Sequence, residues 1–255
     1  MAESHKAVIG LDLGSRMTKI VRLAGGRVTD SQVFDTGHDP LAHVLNVLKT
    51  LKADTMVATG YGRHLARGRL PCTTVTEIRA CARAARHLAP DCHSVIDIGG
   101  QDTKAIEVGG GGEFGRFEMN DRCAAGTGRF LEVMAGALGY RLEELGAEAL
   151  RADRPVEINS MCTVFAESEV VSLVAKGEDR RRIALGLHVG TARRIAAMAS
   201  RIRLGQRTLL VGGVARNPCM AAALREELGS ELVVPEDPEL AVALGAAMLG
   251  FDGAV

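Results

Sequence analysis

The amino-acid sequence predicts an α/β protein with mixed sheets, and three observations lead to this prediction. First, residues 7–23 and 94–108 each contain a Val/Ile-rich strand, a glycine-containing turn and a second β-rich stretch. Second, a further apolar strand over residues 208–211 runs into Gly212-Gly213. Third, the segments between these strands place apolar residues three and four positions apart, which is the period of an amphipathic helix. Strands that alternate with helices are typical of α/β proteins.

Composition narrows the class further. The chain has 255 residues, 47% of them hydrophobic, with 31 basic and 31 acidic side chains and no tryptophan. This balance is typical of a globular chain and excludes disordered and fibrous classes. A chain of this length can bury roughly 75% of its unfolded surface, so it is long enough for two lobes and needs no disulfides. The zero net charge argues against nucleic acid or an anionic membrane as a partner.

The N-terminal region gives an expectation of location. Residues 1–6 lead directly into a strand-like run that Asp12 interrupts, so the long apolar core of a signal peptide is missing. No segment approaches the roughly 18 apolar residues that span a membrane. We therefore expect a cytoplasmic protein.

The two strand-turn-strand stretches form an internal repeat. Their sequences are AVIGLDLGSRMTKIVRL and SVIDIGGQDTKAIEV. Both are predicted to be hairpins in which a strand delivers an aspartate into a glycine turn. The shared residues are Asp12, Gly14 and the pair Thr18-Lys19 in the first repeat, and Asp97, Gly99 and the pair Thr103-Lys104 in the second.

Helices are predicted wherever the apolar period is three to four residues. The predicted helices are Pro40–Leu51, Thr76–Leu88, Gly128–Leu138, Thr163–Lys176, Arg180–Leu204, Asn217–Leu228 and Pro238–Leu249. The glycine run at residues 109–112 is predicted to be a hairpin tip, because no helix follows it as one would after a phosphate loop.

The glycine turns that follow strands point to phosphate binding. Glycine lets the backbone approach a phosphate closely, and the exposed amides donate to its oxygens. Asp12 and Asp97, at the strand ends, are suitable Mg²⁺ ligands because magnesium prefers carboxylates together with retained waters. Any single turn of this kind is most simply an ordinary β-turn, but three in one chain are far more specific. The P-loop pattern is absent, which separates this chain from P-loop ATPases.

Two cysteines stand immediately before predicted helices. Cys123 lies in MNDRCAAGTGRFL and Cys162 lies in SMCTVFAESEV. A helix N-terminus is partly positive, which lowers a cysteine pKa and favours thiolate ligands. Spacing alone leaves both as incidental thiols, since two cysteines supply only half of a four-thiolate site, although a two-fold homodimer would complete it. The remaining cysteines are expected to be buried or incidental: Cys72, Cys81, Cys92 and Cys219.

The hairpins and glycine turns resemble the nucleotide-binding fold shared by acetate and sugar kinases, heat-shock chaperone ATPases and actin. The resemblance implies two ribonuclease-H-like lobes, with the nucleotide in the cleft between them. It implies a first lobe over residues 1–92, a second over 93–237, and a C-terminal helix over 238–255 that packs back on the first. The implied nucleotide-binding residues are Asp12, Gly14, Ser15, Thr18 and Lys19, then Gly99, Gly100, Gln101 and Asp102, then Gly126 and Gly128, and finally Gly212, Gly213 and Asn217.

A narrower resemblance rests on four runs: NDRCAAGTGRFLEVMA, CTVFAESEVVSLVAKG, VIDIGGQDTK and the ATGYGR of residues 58–63. They closely resemble the ATP-dependent activators (archerases) of 2-hydroxyacyl-CoA dehydratases, a family that includes the ATPase subunits of benzoyl-CoA reductase. The resemblance implies a homodimer with one bridging 4Fe-4S cluster, held by Cys123 and Cys162 of each subunit. It also implies ATP and Mg²⁺ in each subunit.

The activity that the resemblance implies is electron transfer driven by ATP hydrolysis. Reduced ferredoxin or flavodoxin would supply the electron, and a dehydratase or related CoA-ester reductase would receive it. Gln101 is expected to orient water, Asp97 to hold Mg²⁺ together with Asp12, and Glu77 to serve as a possible base. Glu77 also fits a capping box that begins at Thr74.

Other interpretations remain open from the sequence. The chain could be a benzoyl-CoA reductase subunit, a small-molecule kinase, or an actin-like or chaperone-like binding protein. Neither of the last two classes explains paired cysteines before helices. Two arginine-rich stretches, around residues 79–86 and 180–182, read either as solvated helix faces or as docking surfaces for an acidic partner.

Overall fold

A computed structural model describes residues 6–160 and 162–255. Residues 1–5, on which the expectation of a missing signal peptide partly depends, and Met161 lie outside this range. The chain divides into two compact units. The first contains the chain up to Cys92, Val108–Gly115 and Glu239–Val255, and the second contains His93–Glu107 and Arg116–Pro238. The segment Val108–Gly115, within the range predicted for the second lobe, therefore groups with the first unit.

The first unit is built on a five-stranded mixed sheet of order β3-β2-β1-β4-β5. Its central strand pairs antiparallel with β2 and parallel with β4. All seven residues of that strand are buried, which explains its nearly unbroken apolar sequence. The strands are β1 (Ala7–Leu13), β2 (Met17–Ala24), β3 (Arg27–Asp35), β4 (Thr55–Thr59) and β5 (Thr73–Thr74).

The helices of the first unit are α1 (Pro40–Thr50), α2 (Arg63–Arg69), α3 (Glu77–Leu88) and, at the end of the chain, α9 (Ala241–Phe251). The last of these is apolar on every side and buried from Ala241 to Gly250, as expected for a helix enclosed by other elements. It lies so close to β1 that a Cβ added at Gly10 would stand 1.9 Å from the carbonyl oxygen of Ala243. Glycine in the central strand therefore sets how closely this helix packs.

The second unit repeats the same sheet plan. Its order is β10-β9-β6-β7-β8, with the central strand antiparallel to β7 and parallel to β9. The strands are β6 (Ser94–Ile98), β7 (Thr103–Val108), β8 (Phe114–Asn120), β9 (Arg207–Val211) and β10 (Glu231–Val233). The internal repeat seen in the sequence is thus a repeat of sheet topology. The prediction of an α/β fold with mixed sheets and two hairpins is confirmed.

The helices of the second unit are α4 (Gly128–Leu138), α5 (Leu142–Ala149), α6 (Thr163–Ala175), α7 (Arg180–Ala199) and α8 (Pro218–Leu228). Their apolar faces and one face of the sheet enclose a core that includes Phe130, Ile96 and Leu210. No helix in the described part of the chain is both long enough and apolar enough to cross a membrane.

Several predicted boundaries were wrong for identifiable reasons. The helix predicted over Arg180–Leu204 ends at Ala199, because the amide of Arg203 donates instead to Glu107 Oε1 on β7 at 2.8 Å. The C-terminal helix begins at Ala241, after a short 3-10 turn over Pro238–Leu240. Helix α2 is not predicted from the sequence because it is short and arginine-rich. Helix α5 is not predicted because it contains Gly146, a residue that weakens helices.

Candidate functional site

Each unit carries a buried aspartate paired with a lysine at the end of its central hairpin. Asp12 lies opposite Lys19 in the β1–β2 register, and its Oδ2 is 3.0 Å from the lysine Nζ. Asp97 lies opposite Lys104 in the β6–β7 register, at 3.7 Å. Only 6% and 4% of the two aspartates are exposed. The repeat therefore reproduces one charged pair at the corresponding position in each unit.

A glycine with positive φ packs closely against each of these aspartates. Gly60 follows β4 with φ +89°, and a Cβ there would lie 2.6 Å from Asp12 Oδ1. Gly212 follows β9 with φ +87°, and its Cβ would lie 2.6 Å from Asp97 Oδ1. Gly212 is among the predicted nucleotide-binding residues, whereas Gly60 is not and stands only within the ATGYGR run. The signal that would have found it is a glycine directly after the strand that pairs parallel with β1.

The loop over residues 12–19, the first loop predicted to bind phosphate, has the small residues Gly14 and Ser15 at its tip. Gly14 is half-buried and Ser15 is exposed. Thr18 is fully buried, and its hydroxyl lies 2.9 Å from that of Thr36, which in turn donates to the Gly14 carbonyl. The hydroxyl of Thr18 thus holds the loop from inside the unit, and contact of this residue with the nucleotide stays a prediction.

Next to Asp12, Thr59 ends β4 and lies opposite it in the parallel register. Its hydroxyl is buried and has no hydrogen-bond partner among the described residues. An unpaired buried hydroxyl is costly, so a polar group beside the Asp12 carboxylate fits a site built to order oxygen ligands.

The second phosphate loop, residues 97–102, is joined to the start of α4. The amide of Gly128 donates to the Gly99 carbonyl at 2.9 Å, and the amide of Arg129 donates to the Gly100 carbonyl at 2.8 Å. The N–H of Gly128 is therefore committed within the protein and is not available to a phosphate. Gly126, at φ +97°, accepts from the hydroxyl of Thr103. Both glycines therefore support the loop through hydrogen bonds of their backbone groups within the second unit.

The exposed part of this second loop carries the polar candidates. Gln101 is exposed, and Asp102 is half-buried with its carboxylate 2.7 Å from Lys104 Nζ. The structure thus places Gln101 and Asp97 on one short turn of the second unit. Glu77 belongs to the first unit, where it is the first residue of α3. The predicted capping box from Thr74 is wrong, because Thr76 caps the helix through its hydroxyl.

Residues 212–217, which are predicted to contact the adenosine of the nucleotide, contain a 3-10 turn over Gly213–Arg216 that ends at Asn217. Asn217 caps α8 by accepting from the amide of Met220 at 3.0 Å, and its Nδ2 lies 2.9 Å from His188 Nε2. A Cβ added at Gly146 would approach Asn217 Oδ1 to 2.3 Å. The side chain of Asn217 therefore anchors the turn to α8 and to His188, and its contact with the nucleotide stays a prediction.

His188 is the residue of this region that the sequence analysis missed. It is fully buried in α7, and its Nδ1 lies 2.7 Å from the Ala184 carbonyl, so Nδ1 carries the proton and Nε2 accepts from Asn217. Burial lowers the pKa of His188, despite the opposing effect of these two hydrogen bonds. The neutral imidazole of His188 therefore holds Asn217, the last residue of the 212–217 segment.

This buried histidine gives a pH prediction. Since its pKa is lower in the folded protein than in the unfolded chain, its contribution to stability is complete above pH ~6.5 and is lost as the pH falls below that value. We expect His188→Gln, which keeps a neutral acceptor toward Asn217, to flatten the decline of the free energy of unfolding between pH 7 and pH 5. Urea unfolding at several pH values measures the slope. Equal slopes in the two proteins would contradict a buried neutral histidine.

Most side chains of the two arginine-rich stretches have partners within their own unit. Arg83 pairs with Asp252 at 2.7 Å, and Arg79 donates to the carbonyl of Ala254. In the second unit, Arg181 pairs with Glu148 and Arg182 with Asp153. These contacts favour the structural interpretation of both stretches over a docking surface.

The six cysteines range from exposed to fully buried, and Cys72 and Cys123 are both half-buried. Cys162 is exposed at the N-cap of α6, and its side chain makes no capping hydrogen bond. Cys123 is half-buried in the turn before α4. By contrast, burial raises the pKa of Cys219 to about 11 and raises that of Cys72 above its ordinary value, although Arg67 opposes the second shift. Cys81 and Cys92 are also buried.

The accessible thiols fit the donor set of an iron-sulfur cluster only in part. Within the described residues, no three histidine, cysteine or acidic side chains are grouped to hold a metal ion. Two thiolates per chain are half of what a 4Fe-4S cluster requires. Directly after Cys162, Val164 and Phe165 are 67% and 66% exposed. The exposed Cys162 thiol therefore lies next to exposed apolar side chains.

Comparison with known proteins identifies the family of the chain. The profile of the BadF/BadG/BcrA/BcrD ATPase family matches residues 9–250. The chain is 37% identical to the 2-hydroxyisocaproyl-CoA dehydratase activator of Clostridioides difficile, over 96% of this chain and 95% of that protein. It is 39% identical to the (R)-2-hydroxyglutaryl-CoA dehydratase activating ATPase of Acidaminococcus fermentans, over 95% of this chain and 96% of that protein.

A solved structure extends the similarity to three dimensions. The activator of the 2-hydroxyisocaproyl-CoA dehydratase from Clostridium difficile, with bound ADPNP, superposes with a TM-score of 0.90 at 37% identity. The match covers 97% of this chain and 95% of that one. The resemblance inferred from the cysteine and aspartate motifs is confirmed. The chain belongs to the BadF/BadG/BcrA/BcrD ATPase family.

Proposed function

We propose that this chain is an ATP-hydrolysing iron-sulfur protein that activates a 2-hydroxyacyl-CoA dehydratase by ATP-driven transfer of one electron. The observation that carries the proposal is the presence, in one chain of this ATPase family, of two Asp–Lys hairpins and an exposed Cys162 at a helix N-terminus. The relatives named as dehydratase activators support the same conclusion.

The nucleotide is assigned to groups on the loops. In the first unit these are the backbone of half-buried Gly14 and exposed Ser15, and the ammonium of Lys19, which is paired with Asp12. In the second unit they are Gln101 on its loop and Gly213, where an added Cβ would meet nothing within 4 Å. Bound Mg²⁺ would neutralise phosphate charge, and the carboxylates of Asp12 and Asp97 fit its preference for oxygen ligands. Gln101 then orients the attacking water.

The electron carrier is assigned to Cys123 and Cys162 of two copies of the chain. A 4Fe-4S cluster held by four thiolates would store the single electron that is passed on. Cys162 suits this role because its sulfur is exposed and is not used to cap α6. Val164 and Phe165 supply the apolar surface that the second copy covers. Reduced ferredoxin or flavodoxin supplies the electron, and the dehydratase receives it.

The proposal is tested by the iron and acid-labile sulfide content of anaerobically purified protein, with ATPase activity measured before and after brief exposure to air. We expect about four of each per dimer, as four thiolates require, and ATP-dependent activation of a partner dehydratase. Absence of iron after careful reconstitution would contradict the cluster. Transfer of label from ATP to a small molecule would instead indicate a kinase.

The nucleotide assignment gives a prediction at Gly213. Because the space at its Cβ is open, Gly213→Ala should leave the free energy of unfolding unchanged. If the adenosine lies against this glycine, the added methyl displaces it, and we expect the affinity for ATP to fall about tenfold. Calorimetric titration with a non-hydrolysable ATP analogue measures the change.

A matched control is Gly68→Ala in α2, where a Cβ also meets nothing within 4 Å. This variant should keep its affinity for the analogue, and its stability should rise slightly, by about 0.5 kcal/mol, because alanine is the better helix former. Unchanged affinity in Gly213→Ala would show that the adenosine lies elsewhere.

A further inference from the structure

The carboxylate of Glu169 is tied to the segment that precedes Cys162. Glu169 lies on α6, seven positions after the cysteine. Its Oε1 accepts from the backbone amide and the side-chain Nδ2 of Asn159, both at 3.0 Å. Its Oε2 accepts from the amide of Ser160 at 2.9 Å. One carboxylate therefore holds two consecutive residues of the approach to the thiol.

Through these contacts, ionised Glu169 binds the backbone at Asn159 and Ser160 strongly. All three partners are N–H donors, which matches a carboxylate that accepts on both oxygens. Burial raises the pKa of Glu169, but the bonds from Asn159 and Ser160 outweigh it and bring the pKa below its ordinary value. The side chain is thus a charged acceptor at neutral pH.

This attachment is needed because the residue at the N-cap of α6 is Cys162. Serine, threonine, aspartate and asparagine stabilise a helix start by accepting from its first amides, whereas Cys162 makes no such bond. A cysteine in this place leaves its sulfur free but does not fix the chain. Glu169, two helical turns further on, supplies the missing attachment from the same helix.

The turn that contains Cys123 is held in a comparable way. Nδ2 of Asn120 donates to the carbonyl of Cys123 at 2.9 Å and to that of Ala125 at 3.0 Å. The hydroxyl of Thr127 donates to the carbonyl of Ala124 at 2.6 Å. Each cysteine thus has one polar side chain, Glu169 for Cys162 and Asn120 for Cys123, that fixes the nearby backbone through hydrogen bonds.

We propose that Glu169 is a positioning residue for Cys162, which fixes the thiol for metal ligation before any cluster is bound, and that Asn120 has the same role for Cys123. The claim that this fixation serves metal ligation rests on the proposed function. The fixation itself is a property of the metal-free chain. It therefore has a measurable consequence whether or not the protein binds iron.

The test is Glu169→Gln, with Glu167→Gln as the matched control. The substituted amide places an NH₂ group against an N–H donor, so at least one bond must break. Glu167 lies on the same helix, is exposed, and loses the same charge. In the metal-free protein, we expect amide hydrogen exchange in peptides over residues 157–165 to rise about tenfold for Glu169→Gln. In the reconstituted dimer, we expect iron to be lost to a chelator about tenfold faster. Glu167→Gln should match the wild type in both.

The outcomes separate the two claims. Unchanged exchange in Glu169→Gln, or an equal rise in Glu167→Gln, would overturn the fixation. Faster exchange with unchanged iron loss and an unchanged electron paramagnetic resonance spectrum would overturn the positioning role. If the wild type binds no iron, the proposed function fails while the exchange result still stands. If Glu169→Gln does not fold, Asn159→Ala removes one of the three bonds at an exposed residue, and should raise exchange at Ser160 by a smaller factor.

Discussion

Replacement of Cys162 by alanine is expected to abolish iron binding while the protein still binds ATP. In the proposed function, Cys162 and Cys123 are half of the thiolate set, so the loss of one cysteine would remove two of four ligands from a two-fold dimer. We expect iron to fall from about four per dimer to below one, and dehydratase activation to be lost with it. The residues assigned to the nucleotide are untouched by this change. Iron analysis and titration with a non-hydrolysable ATP analogue measure both properties on one preparation.

The control for this experiment is Cys72→Ala. Cys72 is half-buried in the first unit, and burial raises its pKa despite Arg67, so the thiolate that a metal needs is disfavoured there. This variant should keep its iron and its activation of the dehydratase. Full iron content in Cys162→Ala would show that the cluster, if present, uses other ligands.

Replacement of Gly245 by alanine is expected to lower the free energy of unfolding by about 3 kcal/mol. Gly245 lies on α9 against α3, and a Cβ there would stand 1.8 Å from the carbonyl oxygen of Ala80 and 2.6 Å from its carbon. Both are backbone atoms, so neither can rotate away. The two helices must separate, and the buried face of α9 loses its packing. Urea unfolding followed by circular dichroism is the suitable measurement, because the chain has no tryptophan for fluorescence.

The matched control is Gly136→Ala, also within a helix. Gly136 is exposed on α4, and its Cβ would meet nothing within 4 Å. Alanine is the better helix former, so stability should rise by about 0.5 kcal/mol. A similar effect at both positions would mean that the close approach of α9 to α3 does not determine stability.

The fold was largely predictable because its signals are local. A strand, an aspartate and a glycine turn occur in the same order at Asp12 and at Asp97, and the structure builds the same sheet plan around each. The helices with strong apolar periods were found within a few residues of their ends. The elements that were missed, α2 and α5, have weak local signals. The second of these contains Gly146, whose purpose is visible only where Asn217 packs against it.

The candidate site was predictable in its residue types and less so in their roles. Thr18 and Asn217 belong to the predicted site, yet their side chains form hydrogen bonds within the protein, and so does the amide of Gly128. A motif shows which residues are close along the chain, but not which way a side chain points. Gly60 and His188 were missed for the converse reason. Their importance comes from contacts with Asp12 and Asn217, which are distant from them in sequence.

The sequence by itself determined the fold class, the family resemblance, the two aspartate hairpins and the two cysteines before helices, because each is encoded within a short run. Only the tertiary structure decided that Gly60 and Gly212 are equivalent, that Cys162 is exposed while Cys219 is buried, and that Glu169 reaches back to Asn159. Burial, hydrogen bonding and close approach depend on residues that the fold brings together. A single sequence read along its length does not contain those distances.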